Sequence, residues 1–258
     1  MFTTPFTRSC SYWLTFASCT AYPSIDFTLV VNPASGPGPT KCPDANYLTA
    51  IAQLNQYANV RMLGYVASTA GDRPASAYQA DIDTYSGWST STCAKNIAID
   101  GIFVDEVNGT DTMSNYNYYR DFYNYVQYKM PAGKSFVTLN PGVPMSLQFY
   151  NISDSIITFE GYHSGMKDEG TILNSGNTYK DTPRQKQAIV IHDYTGNSTQ
   201  QQQMSDLMGQ TEAMGWLYIT NALQAKNPYG VFPSLWKAFV AAVNSTNKWM
   251  ASNPSAYP

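Results

Sequence analysis

Short, almost uninterrupted apolar runs alternate along this chain with longer stretches in which apolar residues recur every three or four positions. The short runs are FTLVVNP (27–33), RMLGYV (61–66), IDGIFVDE (99–106), SFVTLNP (135–141), SIITFEG (155–161), QAIVIHDY (187–194) and GWLYITNA (215–222). Strands with so few polar interruptions are buried on both faces, which is the habit of parallel sheets covered by helices. Between them, ANYLTAIAQLNQYA (45–58) sets Leu48, Ile51, Leu54 and Ala58 on one helical face. YNYYRDFYNYVQYKM (116–130) repeats Tyr119, Phe122, Tyr123 and Val126 on one stripe, which reads as core packing rather than as a binding platform. Strand–helix alternation of this kind predicts a parallel sheet with crossover helices. At 258 residues, with no linker or charge block, residues 1–258 read as one domain of the α/β class, a (β/α)8 TIM-type barrel. Only seven strands are legible. The first would have to lie within residues 1–12, where the apolar signal is poor, so that strand is expected to be poorly defined or missing.

The strands share a second regularity. Nearly all close on a polar residue at the C-terminal end: Asn32, Tyr65, Asp105 and Glu106, Asn140, Glu160, His192, then Thr220 and Asn221. In a barrel these ends converge on the face where active sites are built. Any one of them is ordinary turn chemistry; seven ends together point to a site. Asp105, Glu106 and Glu160 weigh most, because each follows a buried run where an acid is costly unless paired or opened to a cleft. Side chains alternate along a strand, so only one of Asp105 and Glu106 should aim inward. Two carboxyl groups at neighbouring strand ends suit glycosidic hydrolysis, which needs a proton donor and a nucleophile or base. Tyr162 and His192 are expected to line the same cleft, with Asn32, Tyr65 and Asn140. A divalent-cation site built from Asp105, Glu106, Glu160 and His192 is the competing reading, but no ligand spacing supports it. Neither a metal nor a cofactor is implied.

Composition narrows the partners. Charged residues make up 13% of the chain and aromatic residues 14%, including 20 Tyr, which suits neutral, hydroxyl-rich ligands. A net charge of −3 offers no field for phosphates, so nucleic acid is excluded as a natural partner. No apolar run is long enough to span a membrane. The four cysteines, Cys10, Cys19, Cys42 and Cys93, lack metal spacing, and Cys42 with Cys93 is the favoured disulfide because both fall in loops. Sequons at Asn108, Asn151, Asn197 and Asn244 lean, with that disulfide, towards secretion or the cell wall. Residues 1–21 hold no clear apolar h-region, so they are not read as a signal peptide.

The segments YPSIDFTLVVNPASGPG (22–38), PDANYLTAIAQLN (43–55), VRMLGYV (60–66), DIDTYSGW (81–88), DGIFVDE (100–106), LNPG (139–142) and DSIITFEGY (154–162) resemble, in order and spacing, the spherulin-4-like family that includes glycoside hydrolase family 135. The end at 229–236 extends the match. The resemblance implies a (β/α)8 barrel and endo-hydrolysis of α-1,4-linked N-acetylgalactosamine stretches, as in fungal galactosaminogalactan. It maps the family's acids onto Asp105, Glu106 and Glu160. By analogy with retaining families, Asp105 is the expected nucleophile, Glu160 the acid/base and Glu106 a supporting acid. A monomeric, secreted enzyme acting on a polysaccharide is the expectation. Family members open with an apolar strand and a Tyr-x-Tyr-Pro-like turn ahead of the helix that SYWLTFASC (11–19) matches. A mis-assigned start site is the expected reason that no such strand is legible here.

Overall fold

Seven parallel strands form one sheet in chain order: β1 (Phe27–Val31), β2 (Val60–Ala67), β3 (Gly101–Asp105), β4 (Phe136–Leu139), β5 (Ser155–Tyr162), β6 (Gln187–His192) and β7 (Trp216–Ile219). They are the seven apolar runs of the sequence. The computed structural model describes residues 18–90, 92–167, 182–206 and 214–254. The strand expected within residues 1–12 lies outside the described residues; among the described residues the sheet is a seven-stranded parallel α/β sheet with β1 and β7 at its two ends.

Helices α1 (Ala45–Leu54), α2 (Ala75–Gly87), α3 (Met113–Lys129), α4 (Ser198–Asp206) and α5 (Trp236–Ser252) accompany the sheet. Asp44 starts α1 by accepting the Asn46 and Tyr47 N–H groups, which satisfies donors that have no intrahelical partner. The helix stops four residues short of the expected end. There Gln56 and Tyr57 bond back three residues, to Gln53 and Leu54, and tighten the last turn. Thr112 caps α3 through Asn115, three residues earlier than the periodicity suggested. The α3 stripe is core: Tyr119, Phe122 and Val126 are buried, and Tyr123 packs at the edge. Each fully buried side chain of this size contributes about 1.5–3 kcal/mol. Cys42 and Cys93 are joined, 51 residues apart, as expected; the bridge ties the β1–α1 loop to the segment between α2 and β3.

The sheet is curled. The Arg61 guanidinium of β2 lies 4.1 Å from the Phe136 ring of β4 and 5.6 Å from the Trp216 ring of β7. A flat sheet would hold those strands far apart. Register then carries one face along the inside of the curled sheet. Tyr65 pairs with Phe103, and Phe103 with Thr138, so Tyr65, Phe103, Asp105, Thr138 and Asn140 share the inner side with Arg61. Strand β5 would break this rule. Counted by twos from Ile157, Glu160 falls on the outer face. A bulge prevents that: the pairing steps from Ile157–Ala188 to Phe159–Ile189, leaving Thr158 as an extra residue. The extra residue reverses the alternation, so Glu160 pairs with Val190 on the inner side.

The two ends do not pair. A cavity of about 540 Å³ lies between them, lined by Thr28 of β1, Trp216 and Tyr218 of β7, and Trp236, Phe239 and Val240 of α5. Helix α5 bridges both sides, with Trp236 against Phe27 and Phe239 against Tyr218. No helix among the described residues is long and apolar enough to cross a membrane.

Candidate active site

The inner side chains at the C-terminal strand ends meet around Asn140. Its Nδ2 donates to Asp105 Oδ1 at 2.8 Å and to Glu160 Oε2 at 2.6 Å. Two oxygens so held can be no further apart than the two bonds laid end to end, about 5.4 Å. Carboxylates this close repel, and an amide NH2 between them supplies one proton to each. That arrangement fixes the amide's orientation, since its oxygen in the same place would face two anions. Asn140 Oδ1 is accordingly turned away, and it is buried with no hydrogen-bond partner, an arrangement that costs about 1–3 kcal/mol. The backbone around it is ordered too: Val107 N–H donates to the Asn140 carbonyl, and Asn140 N–H to Val104. Gly142, at φ +66°, turns the NPG loop so that its carbonyl accepts the Glu160 N–H at 3.3 Å.

Each acid also has a tyrosine of its own. The Tyr65 hydroxyl hydrogen-bonds Asp105; burial, then the Asp105 charge, pushes it well above its ordinary value, so it remains a donor. On the far side, the Tyr229 hydroxyl donates to Glu160 Oε1. Burial, then the charge of Glu160, raises it likewise. The result is a row, Tyr65–Asp105–Asn140–Glu160–Tyr229, in which neutral donors alternate with carboxylates.

Other expected residues fall at varied distances from this row. Glu106 does not aim inward. It is exposed, at φ +56°, while its carbonyl accepts from Ser68 Oγ and Ala70 N–H. Ser68 is in turn within 3.3 Å of the Tyr119 hydroxyl, which also accepts the Asn108 N–H, so α3 braces the turn at Asp105 and Glu106 after β3. His192 is buried on the inner face, 2.7 Å through Nδ1 from Asp193 Oδ2 and edge-on to Tyr162 at 4.6 Å between ring centroids. Tyr162 is 51% exposed and offers its ring at the rim. Asn32 shapes its own loop: Oδ1 accepts the Gly36 N–H and its carbonyl accepts the Tyr47 hydroxyl. Thr220 Oγ1 accepts the Ala222 N–H, and Asn221 pairs with Ser234, so both serve the turn after β7. Among the described residues, no three His, Cys, Asp or Glu side chains converge as metal ligands; Asp105, Glu106, Glu160 and His192 do not form one set.

Tyr229 is the residue of this row that strand-end reasoning missed. It stands ten residues beyond β7 in the loop before α5, where no alternation reaches. Its available signal was the aromatic residue within the turn sequence Asn227-Pro228-Tyr229-Gly230.

Comparison with known proteins places the chain in a lineage. It is 30% identical over 224 residues to Spherulin-4 of Physarum polycephalum, covering 84% of this chain and spanning 62% of that protein's length. Its structure superposes on that of Aspergillus clavatus Sph3 in complex with GalNAc with a TM-score of 0.82 and 28% identity, over 91% of this chain and 92% of the other. The family model for spherulation-specific family 4 matches residues 2–243, and the chain belongs to that family.

Proposed function

We propose that the protein is a retaining, endo-acting glycoside hydrolase for a polysaccharide containing α-1,4-linked N-acetylgalactosamine. The carrying observation is the Asn140 amide, which holds the nearest oxygens of Asp105 and Glu160 within about 5.4 Å. Retaining enzymes place their carboxyl groups about 5–5.5 Å apart, and inverting ones about 6.5–9.5 Å, to admit a water. Asp105, ionised, attacks the anomeric carbon while Glu160, which enters this step in its protonated form, gives that proton to the departing glycosidic oxygen. Water, deprotonated by Glu160, then releases the sugar from the Asp105 ester. Glu106 sits at the rim as a supporting acid, and the exposed Tyr162 ring offers a face to a neighbouring sugar. The GalNAc bound to Sph3 supports the choice of sugar, and the Cys42–Cys93 bridge supports secretion or a cell-wall location. The enzyme acts as a monomer.

A purely carbohydrate-binding or coat role on the same fold needs no paired acids, and the inward pair counts against it. The test is incubation with galactosaminogalactan and mass spectrometry of released oligosaccharides, with the anomer of the first product read by proton NMR. Oligosaccharides of retained configuration are expected, and Asp105→Asn and Glu160→Gln should abolish them. A wild type that releases nothing, or variants that release as much, would overturn the proposal.

A further inference from the structure

We infer that Tyr229 is a positioning residue for Glu160, fixing the plane in which that carboxyl group meets the scissile bond. The inference rests on the hydrolase reading above for its chemistry, but on separate contacts for its geometry. Tyr229 is presented by a built turn: its N–H donates to Asn227 Oδ1, the Gly230 N–H donates to the Asn227 carbonyl at 2.9 Å, and Asn227 itself sits at φ +53°. Pro228 beside it is buried. The phenol thus approaches Glu160 from the β7–α5 loop, opposite the strand that carries Asn140. One donor engages Oε1 and the other Oε2. A glutamate has three side-chain torsions, and its last is broad and weakly restrained. Two donors at its two oxygens define that torsion, and neither donor alone does so.

The division of labour follows from the row of five residues. Asn140 touches both acids, so its loss would disturb both steps of the reaction. Tyr65 touches Asp105 and Tyr229 touches Glu160. Each tyrosine therefore acts through one acid. Proton donation to a poor leaving group requires Glu160 to be aimed correctly. Departure of an activated phenol hardly needs it.

The test compares two substrates, an α-1,4-linked N-acetylgalactosamine oligosaccharide and the 2,4-dinitrophenyl glycoside of the same sugar chain. Tyr229→Phe keeps the ring and removes the donor. It should lower kcat/KM on the oligosaccharide by about 100-fold and on the dinitrophenyl glycoside by less than about threefold. Adding Tyr229→Phe to Glu160→Gln should cost nothing more, because the tyrosine has no other route to the chemistry. Losses that multiply in the double variant, or no loss in the single one, would overturn the inference. If Glu160→Gln harms both substrates alike, Glu160 is the nucleophile and the assigned roles exchange. Tyr229→Phe should then follow that same pattern, and a departure from it again overturns the inference. If wild type hydrolyses neither substrate, only the hydrolase reading fails. The Tyr229 contact is then decided by ¹³C NMR of labelled glutamate δ-carboxyl groups, with Glu160 assigned through Glu160→Gln. A displaced Glu160 resonance in Tyr229→Phe supports the inference, and an unmoved one sinks it.

Discussion

Replacing Asn140 with leucine tests the centre of the site, because leucine keeps the approximate shape and removes both polar atoms. The amide donates two charge-assisted hydrogen bonds, at 2.8 and 2.6 Å, each worth about 1.5–3 kcal/mol. Their loss costs about 3–6 kcal/mol together. Against this, Asn140 Oδ1 is buried without a partner, and its removal returns about 1–3 kcal/mol. The two acids, within about 5.4 Å of each other, also lose the donor that lay between them. The net expectation at neutral pH is a loss of about 2–4 kcal/mol with an unchanged denaturant slope, read by urea unfolding. In a chain of this length that corresponds to a midpoint lowered by roughly 5–15 °C. Activity should fall by at least about 100-fold, since both acids lose their alignment. A stability change below about 1 kcal/mol, with activity retained, would refute the claim that one amide organises the pair.

Deleting Thr158 should restore plain alternation in β5 and turn Glu160 outward; the expected result is an unchanged far-ultraviolet circular dichroism spectrum with no detectable hydrolysis. Glu106 is exposed in a left-handed conformation, so Glu106→Asn, which tolerates that backbone, should raise stability by about 0.5–1 kcal/mol, measured by urea unfolding. If Glu106 supports catalysis only from the rim, kcat in the same variant should stay within about tenfold of wild type. Breaking the Cys42–Cys93 bridge by paired alanine substitution frees a loop of 51 residues and should cost up to about 4 kcal/mol, seen as a lower thermal midpoint. Burial pushes the Cys19 thiol up to about 12, above its ordinary value near 9. Its contribution to stability is therefore complete below the unfolded value and is lost as pH rises from about 9 towards 12. In a Cys10→Ser background, Cys19 should resist a thiol reagent at pH 8 until the protein is unfolded.

Much of this arrangement was legible in the residues. Each apolar run became a strand, because runs such as Ile102–Val104 must be covered on both faces. Strand alternation says that only one of Asp105 and Glu106 aims inward; that it is Asp105 follows from the register of β3 with β2 and β4, and Glu106 lies just past the strand in a left-handed turn. Glu160 is different: its position as a strand-end acid was visible, but its orientation depends on a bulge that SIITFEG does not announce. Asn32 and Asn221 are strand-end residues whose side chains serve local turns, a use that composition cannot tell from contact with a ligand. Tyr229 stands at the start of the 229–236 segment of the family resemblance, but its place beside Glu160 was not legible, for a related reason. It reaches Glu160 through a loop, and loop geometry is set by tertiary contacts rather than by periodicity.

The single amide between the acids has a spectroscopic consequence. Its two protons, distinct in any amide because the C–N bond does not rotate freely, here have different partners: one points at Asp105 and the other at Glu160. In protein labelled with ¹⁵N-asparagine, the Asn140 side chain carries two resonances, each reporting on one carboxylate. Trapping a sugar on Asp105 would remove the charge from one partner and leave the other, so one resonance should move strongly and its twin little. Under the proposed retaining route, Asn140 is thus a native probe for watching its two steps separately, with no added label in the cleft.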